Sequence, residues 1–386
     1  MHHRIENDTL TVWMTGSIDT TNAQQLEDEL TAVVGDATRV TLDLGGVGYL
    51  SSSGIRLIMR VAKRCEQFEL TDVQPDVYEV LSMTGLTEML TVRRRLRSIS
   101  VDGLKQIGAG AFGRVYRLDP ERVIKVYSPQ VNPLEKIERE RASARAAFVH
   151  DIPCAIPFEV VRVGQEHGII YELIDAQTLG EAVMANPTQV DAYAERMAQL
   201  LRKLHGTHFD VGTLPDARGI FQGWVDVAEK SGLYRVDTIA ELRRVVDELG
   251  AADTFVHGDF HPANIMVMPD GELLLIDMGD ASVGNPLIDV AGTFHVLRIA
   301  SLRPGGAERL TGMTQELLDR LWDVFLRTYY DVAADDNARA EELERMLRFA
   351  ALPRTMGSTA RSKLLDDETR RAQAAALEKQ FWDGLA

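Results

Sequence analysis

Three oxygen-bearing side chains lie close together along the second half of the chain: Asp259, Asn264 and Asp277. Asn264 precedes an apolar run at residues 265–268, and Asp277 follows another at 273–276, with a Pro-Asp-Gly-Glu sequence between the runs. This pattern predicts a β-hairpin, which returns its second end beside its first. We therefore expect Asn264 and Asp277 to lie side by side, with Asp259 held near them by its short loop. Such oxygen ligands suit Mg²⁺, which retains waters and binds phosphate oxygens.

The same segment contains two motifs that resemble those of protein kinases. His257, Asp259 and Asn264 have the H-x-D-x-x-x-x-N spacing of the kinase catalytic loop, and Asp277-Met-Gly279 stands where kinases carry Asp-Phe-Gly. The His-Gly-Asp form resembles the aminoglycoside phosphotransferase and choline kinase branch of the kinase-like fold. The alternative is a hairpin with incidental surface acids. We prefer the kinase-like interpretation because motifs earlier in the chain agree with it.

A glycine-rich segment lies upstream, and Gly108, Gly110, Gly113 and Val115 fill the kinase pattern G-x-G-x-x-G-x-V. Glycines at these positions allow the backbone to approach nucleotide phosphates closely. A dinucleotide-binding fingerprint is the alternative, but it requires a helix after the glycines. Residues 114–118 alternate like a strand instead, so the sequence predicts a strand-turn-strand lid over a nucleotide.

The strand at residues 122–127 carries Lys125, in the place of the kinase strand lysine. The resemblance implies that Lys125 contacts the α- and β-phosphates of ATP. In the helix that follows, Glu140 shares the apolar face by helical spacing, whereas Glu138 points away from it. We therefore expect Glu140 to pair with Lys125, although a solvated helix acid is the ordinary alternative.

The resemblance implies roles for three further positions. Residues 171–174, which include Leu173, fall where kinase-like folds place the hinge that binds adenine through backbone groups. His205 ends an amphipathic helix predicted at residues 189–205, and we interpret it as a packing residue rather than a catalytic one. Asp289 ends a Gly-x-Pro-x-x-Asp segment of the family, where the aspartate holds the catalytic loop.

Residues 1–98 alternate between predicted strands and helices, and Ser51-Ser-Ser-Gly54 opens one of the helices. This segment resembles the Asp-Ser-Ser-Gly motif of STAS domains, the anti-sigma-factor antagonist family. In that family a partner kinase phosphorylates the second serine, which corresponds to Ser53, while the aspartate position is Ser51 here. A phosphate at a helix N-terminus is physically favourable. The alternative interpretation is that the serines only cap the helix.

Composition narrows the function classes. The chain has 386 residues and a formal net charge of −16, which argues against nucleic-acid binding. No apolar run reaches the roughly 18 residues of a membrane span, and the first residues lack the apolar core of a signal peptide. We therefore expect a cytoplasmic protein without membrane contact. The basic run at residues 93–97 is interpreted as a solvated linker or a salt-bridging face.

The predicted fold class is therefore an α/β STAS domain followed by an α+β, bilobal, protein kinase-like domain. We expect the STAS domain at residues 1–98 and the kinase-like domain at 99–386. Its N-lobe is expected at about 101–174 and its helix-rich C-lobe at about 175–386.

The expected function is Mg²⁺-dependent transfer of the ATP γ-phosphoryl group to a hydroxyl acceptor, either a small molecule or a protein. The STAS domain would regulate this reaction or dock a partner such as an anti-sigma factor or a related regulatory kinase. The alternative is a partner-switching regulator. Its kinase-like half would phosphorylate protein, including its own Ser53, or only sense nucleotide.

Overall fold

The computed structural model describes residues 1–6, 8–110, 113–129, 132–210, 212–302, 305–362 and 365–385. The chain divides into two compact units, Met1–Ile99 and Ser100–Ala386. Each unit has its own buried apolar cluster. Within the described ranges, no helix has the length and apolar character needed to cross a membrane.

The first unit is a five-stranded sheet with helices between its strands. Its strands are β1 His2–Glu6, β2 Thr9–Ile18, β3 Arg39–Leu50, β4 Gln67–Val73 and β5 Thr91–Arg94. Its helices are α1 Ala23–Val34, α2 Ser52–Ala62, α3 Pro75–Met83 and α4 Leu86–Met89. The strands lie in sequence order, with β1 antiparallel to β2 and the other neighbours parallel.

Strands β1 and β5 lie at the two edges of this sheet. All of β1 is exposed, and its sequence, His-His-Arg-Ile-Glu, lacks the apolar alternation that would predict a strand. The basic run begins inside β5: Arg93 Nε lies 3.3 Å from Glu69 Oε2, and Arg95 Nε lies 3.9 Å from Asp72 Oδ1. Of the two interpretations of this run, the salt-bridging face is therefore the one observed.

The second unit begins with an antiparallel sheet in the order β6-β7-β8-β10-β9. Its elements are β6 Gln106–Gly110, β7 Gly113–Arg117, β8 Arg122–Tyr127, α5 Leu134–Val149, β9 Pro157–Val163 and β10 Glu166–Glu172. Lys125 of β8 pairs with Val115 on one side and Ile169 on the other, which puts it in the middle of the sheet. Helix α5 packs near this position through Ile137, which is buried with Tyr127 and Ile169.

The rest of the second unit is mostly helical, with short strands around one hairpin. The strands are β11 Gln177–Thr178, β12 Phe255–Val256, β13 Ile265–Val267, β14 Leu273–Leu275 and β15 Ser282–Val283. The helices are α6 Leu179–Ala185, α7 Val190–His205, α8 Arg218–Ser231, α9 Val236–Glu248, α10 Pro286–Arg298, α11 Gly306–Thr311, α12 Gln315–Tyr330, α13 Asn337–Ala350, α14 Leu352–Arg361 and α15 Asp367–Leu385. Helix α10 is buried along almost its whole length and lies at the centre of this helical region.

Candidate active site

The hairpin that carries the oxygen-bearing trio is present. Strands β13 and β14 pair with Ile265 opposite Leu275, and the Ile276 N–H donates to the Asn264 carbonyl over 3.0 Å. Asn264 and Asp277 therefore flank the paired ends of the hairpin. Asn264 Nδ2 also donates to the Asp259 carbonyl over 2.9 Å and lies 3.3 Å from Asp259 Oδ2. The structure thus brings the three predicted side chains together.

Lys125 connects the antiparallel sheet to this hairpin. Its Nζ lies 2.8 Å from Glu140 Oε1 and 2.9 Å from Asp277 Oδ1. Burial by itself would lower the pKa of Lys125, but the negative charges of Asp277 and Glu140 raise it overall. Lys125 is therefore a protonated lysine held between two carboxylates from different parts of the unit.

Glu140 is held by two tyrosines as well as by Lys125. Tyr127 OH donates to Glu140 Oε1 over 2.6 Å, and Tyr171 OH donates to the same oxygen over 3.1 Å. Glu140 is only 4% exposed, so these donors replace the water that a carboxylate would otherwise bind. Sequence reasoning missed both tyrosines. Tyr127 could have been found, because it lies two residues after Lys125 and shares that face of the strand.

A cleft of about 530 Å³ runs beside Lys125. Gly108 and Val115 line it from the glycine-rich strands, and Asn264 and Asp277 line it from the hairpin. Gly113 has a different role, because an added Cβ would lie 2.2 Å from the Val126 carbonyl oxygen. A Cβ on Gly110 would meet open space. Residues 111 and 112, at the tip of the predicted lid, lie outside the described residues.

The predicted hinge also lines the cleft, but one of its amides is already engaged. The Leu173 N–H donates to the Glu121 carbonyl over 2.7 Å. The next amide, that of Ile174, makes no hydrogen bond within the described part of the chain, and Ile174 lines the same cleft. The Ile174 N–H is therefore one backbone donor on the cleft wall that is available to a bound group. Leu173 itself lines the wall of the cleft.

A buried carboxylate supports the loop that carries Asp259. Asp289 accepts hydrogen bonds from the His257 N–H over 2.8 Å and from the Gly258 N–H over 3.0 Å. His205 Nε2 lies 3.3 Å from the same carboxylate, and its Nδ1 lies 2.6 Å from Tyr329 OH. Both Asp289 and His205 thus serve to hold the loop and the packing around it.

We expect Asp289→Ala to lower the free energy of unfolding by about 3–5 kcal/mol, because it leaves two buried N–H groups without acceptors. For a unit of this size that corresponds to a Tm about 10 °C lower. Burial by itself would raise the pKa of Asp289, but hydrogen bonding and charge from His205 lower it overall. The stabilisation is therefore full above the ordinary aspartate pKa and is lost as the pH falls through the folded-state pKa.

Thermal unfolding of the intact chain at neutral and acidic pH measures this effect. Asp191→Ala, which removes an exposed carboxylate paired with Arg320, is the control and should lower Tm by no more than about 2 °C. If the difference in Tm between the two variants did not become smaller in acid, the result would contradict the role of the Asp289 carboxylate in holding the loop.

The structure adds one residue that no sequence motif indicated. Arg354 of α14 places Nη2 2.6 Å from Asp259 Oδ1 and donates from Nη1 to the Gly258 carbonyl over 3.1 Å. Partial burial would raise the pKa of Asp259, but the neighbouring His261 and Arg354 hold it well below its usual range. Asp259 is therefore an ionised carboxylate with a fixed orientation.

The donor set of the hairpin fits a hard divalent cation. Within the described ranges, neither Asn264 Oδ1 nor Asp277 Oδ2 receives a hydrogen bond, so both oxygens are available. Two protein oxygens and several waters are the usual ligands of Mg²⁺ at phosphate-binding sites. No group of three or more His, Cys, Asp or Glu side chains suited to a metal occurs among the described residues. A site built only from protein ligands is therefore not observed there.

The serines of the first unit lie at the start of helix α2. Ser51 is its N-cap: the hydroxyl oxygen accepts from the Ser53 N–H over 3.2 Å and from the Gly54 N–H over 3.4 Å. Ser52 is exposed and Ser53 is half-buried. Ser51 thus performs the capping role, and phosphorylation of Ser53 stays a prediction.

A glycine-rich strand pair, a buried lysine-glutamate pair and a metal-suited hairpin define the second unit as a phosphotransferase of the kinase-like class. The chain matches the model of the phosphotransferase enzyme family, APH, over residues 103–325, and the STAS domain model over residues 2–99. The chain belongs to the phosphotransferase enzyme family and carries a STAS domain at its start. The predicted family resemblance and fold class are both confirmed.

Two individual relatives with sequence similarity to the chain were found. The chain is 39% identical over 82 residues to the putative anti-sigma factor antagonist BtrV of Bordetella bronchiseptica, covering 20% of this chain and 71% of that protein. It is 30% identical over 133 residues to the uncharacterized protein slr0889 of Synechocystis, covering 32% of each.

Solved structures with similarity to the chain include an aminoglycoside phosphotransferase and a choline kinase. One is a thermostable mutant of APH(4)-Ia with AMP-PNP and hygromycin B, with 16% identity, a TM-score of 0.49, and coverage of 74% of this chain and 93% of that one. Another is choline kinase LicA from Streptococcus pneumoniae, with 14% identity, a TM-score of 0.43, and coverage of 79% and 99%.

Proposed function

We propose that residues 99–386 form an ATP-dependent phosphotransferase acting on a hydroxyl group, and that residues 1–98 regulate it or dock a protein partner. The observation that carries the proposal is the position of Lys125, bonded to both Glu140 and Asp277 at the wall of the cleft. A cation in this position can contact nucleotide phosphates while a second carboxylate orients it.

The nucleotide would lie in the cleft between the glycine-rich strands and the hairpin. Gly108, Gly110, Gly113 and Val115 would cover the phosphates and the ring, while Glu140 keeps Lys125 aimed at the α- and β-phosphates. The hinge around Leu173 would take the adenine through backbone groups, with the Ile174 N–H as one available donor. These roles need only positioning and charge neutralisation, which account for most of the catalysis of phosphoryl transfer.

Asp259 would act on the acceptor. The acceptor oxygen forms a bond to the γ-phosphorus, the bond from that phosphorus to the bridging oxygen breaks, and ADP leaves. The hydroxyl proton passes to the Asp259 carboxylate, which Arg354 and Asn264 hold in one orientation. Mg²⁺ bound by Asn264 and Asp277 would neutralise charge on the phosphate oxygens.

An ATP-consumption screen with the intact chain and Mg²⁺ tests the proposal. The acceptors would be amino sugars, amino alcohols, other hydroxyl-bearing metabolites and the isolated residues 1–98. We expect one class to raise ADP formation well above the acceptor-free rate and to yield a phosphorylated product by mass spectrometry. Failure of every acceptor to do so, together with absent ATP binding by calorimetry, would contradict it.

A second candidate is a partner-switching regulator, which the STAS domain and its 39% identical antagonist relative favour. In this case the kinase-like unit would phosphorylate protein, including Ser53, or only sense nucleotide. The STAS domain would bind an anti-sigma factor or a related regulatory kinase. Mass spectrometry after incubation with Mg-ATP separates the candidates, with Ser53→Ala as the test variant and Ser52→Ala as its neighbour control. Phosphate on the serines without an added kinase favours the second candidate.

A further inference from the structure

A long-range ion pair connects helix α14 to the catalytic loop of the proposed reaction. Arg354 lies beyond the segment that matches the family model, which ends at residue 325. We infer that Arg354 is a positioning residue that fixes the Asp259 carboxylate for acceptor activation, an inference that rests on the proposed function. The two are joined by a 2.6 Å contact between Arg354 Nη2 and Asp259 Oδ1.

Arg354 holds the loop at two consecutive residues. One arm of its guanidinium contacts Asp259 Oδ1 and the other donates to the Gly258 carbonyl oxygen. The second carboxylate oxygen lies 3.3 Å from Asn264 Nδ2 and 3.4 Å from His261 Nε2. A planar guanidinium with a fixed fork can bind two acceptors at once, and a lysine ammonium cannot reproduce that geometry. The carboxylate therefore has one orientation, set from both sides.

The surroundings of Arg354 are shaped to admit its side chain. An added Cβ on Gly292 of α10 would lie 2.9 Å from Arg354 Nη1, so a larger residue there would crowd the guanidinium. The next residue, Thr355, is buried and its hydroxyl lies 2.9 Å from His295 Nδ1. On its other side, α14 packs against α8. A Cβ added to Gly357 of α14 would lie 2.5 Å from the carbonyl oxygen of Trp224 in α8. Helix α14 is therefore fixed between two helices.

The Arg354–Asp259 pair also compensates the negative charge of the carboxylate. Lys125 is already shared by Glu140 and Asp277, so it does not compensate Asp259. Arg354, whose side chain is only 12% exposed, is the permanently charged group in contact with that carboxylate among the described residues, and His261 Nε2 lies 3.4 Å from its other oxygen. Without it, Asp259 would keep contacts on only one carboxylate oxygen and would face the anionic phosphates with less compensating charge. The chemical step should suffer more than nucleotide binding, because Arg354 does not line the nucleotide cleft.

The test compares Arg354→Ala and Arg354→Lys with Arg327→Ala, a matched control in α12 whose side chain is 15% exposed and pairs with Asp323. We expect Arg354→Ala to lower kcat about 100-fold, the size of effect that a misplacement of about 1 Å produces. The KM for ATP should stay within about twofold, and Arg354→Lys should recover only part of kcat. Added guanidinium should raise the rate of the Arg354→Ala variant at least tenfold, whereas added methylammonium should not raise it.

Three results would overturn the inference. They are an unchanged kcat in Arg354→Ala, an equal loss in Arg327→Ala, and a loss that guanidinium does not relieve. A second measurement does not need turnover: the Tm shifts of Arg354→Ala and Asp259→Asn should be non-additive in the double variant, and additive shifts would also reject the pair. If the unaltered chain consumes no ATP with any acceptor, the proposed function fails, which is a different result from an active chain that is indifferent to Arg354.

Discussion

Replacing Asp259 by Asn is expected to lower the phosphoryl-transfer rate by about 10²–10⁴-fold, the usual contribution of a positioned general base. The amide keeps the shape of the side chain but cannot accept the proton of the acceptor hydroxyl. ATP affinity should be almost unchanged, because Asp259 is not among the residues that line the nucleotide cleft. Steady-state kinetics with the acceptor, together with calorimetric titration of ATP, separates these two effects.

Asp270→Asn is the matched control for this experiment. Asp270 belongs to the turn of the same hairpin, where its Oδ1 accepts from the Glu272 N–H, and the substitution keeps an oxygen in that place. We expect kcat within about twofold of the unaltered chain, as for other surface changes. If the Asp259→Asn variant consumed ATP at the full rate with acceptor present, the Asp259 carboxylate would have no role in the reaction.

The oxygen-bearing trio could be predicted from the sequence because short-range rules position it. Asp259, Asn264 and Asp277 lie within one hairpin and its preceding loop, so turn chemistry and strand pairing alone bring them together. Glu140 was found for a similar reason. Helical periodicity assigned it to the apolar face of α5, and the kinase resemblance gave Lys125 as its partner.

The remaining contacts depend on tertiary packing, which local patterns do not encode. Arg354 lies 95 positions after Asp259 in the chain, and it reaches the loop only because α14 packs between α8 and α10. A sequence pattern shows which face of a helix is apolar, but not which neighbour that face meets. Tyr171 of β10 contacts Glu140 of α5, which lies 31 positions earlier in the chain, and was invisible for the same reason. Hinge amides are backbone groups, so side-chain identity does not reveal which of them is free.

The serine motif shows how one substitution can preserve structure while changing charge. Ser51 caps helix α2 through its hydroxyl, which is the structural task that an aspartate at the same position can perform. A serine cap adds no negative charge beside Ser53, whereas an aspartate would. An aspartate at position 51 is therefore expected to keep the cap and to add negative charge beside Ser53.

The other large effect is expected from Asp277→Asn, which should reduce kcat at least about 100-fold, since a bound metal supplies several kcal/mol of charge stabilisation. The variant also tests the proposed Mg²⁺ site. The amide oxygen can still accept the 2.9 Å hydrogen bond from Lys125, so the local geometry should survive. What is lost is the carboxylate charge that a divalent cation requires.

Calorimetric titration of ATP with Mg²⁺ or with EDTA gives a readout that does not depend on turnover. In the unaltered chain Mg²⁺ should strengthen ATP binding, and in Asp277→Asn this enhancement should disappear while binding in EDTA is retained. Glu272→Gln, an exposed acid of the same hairpin, is the control and should keep the enhancement. If Asp277→Asn bound Mg-ATP as tightly as the unaltered chain, the metal would have to be held by other ligands. The available oxygens of Asn264 and Asp277 would then have no part in nucleotide binding.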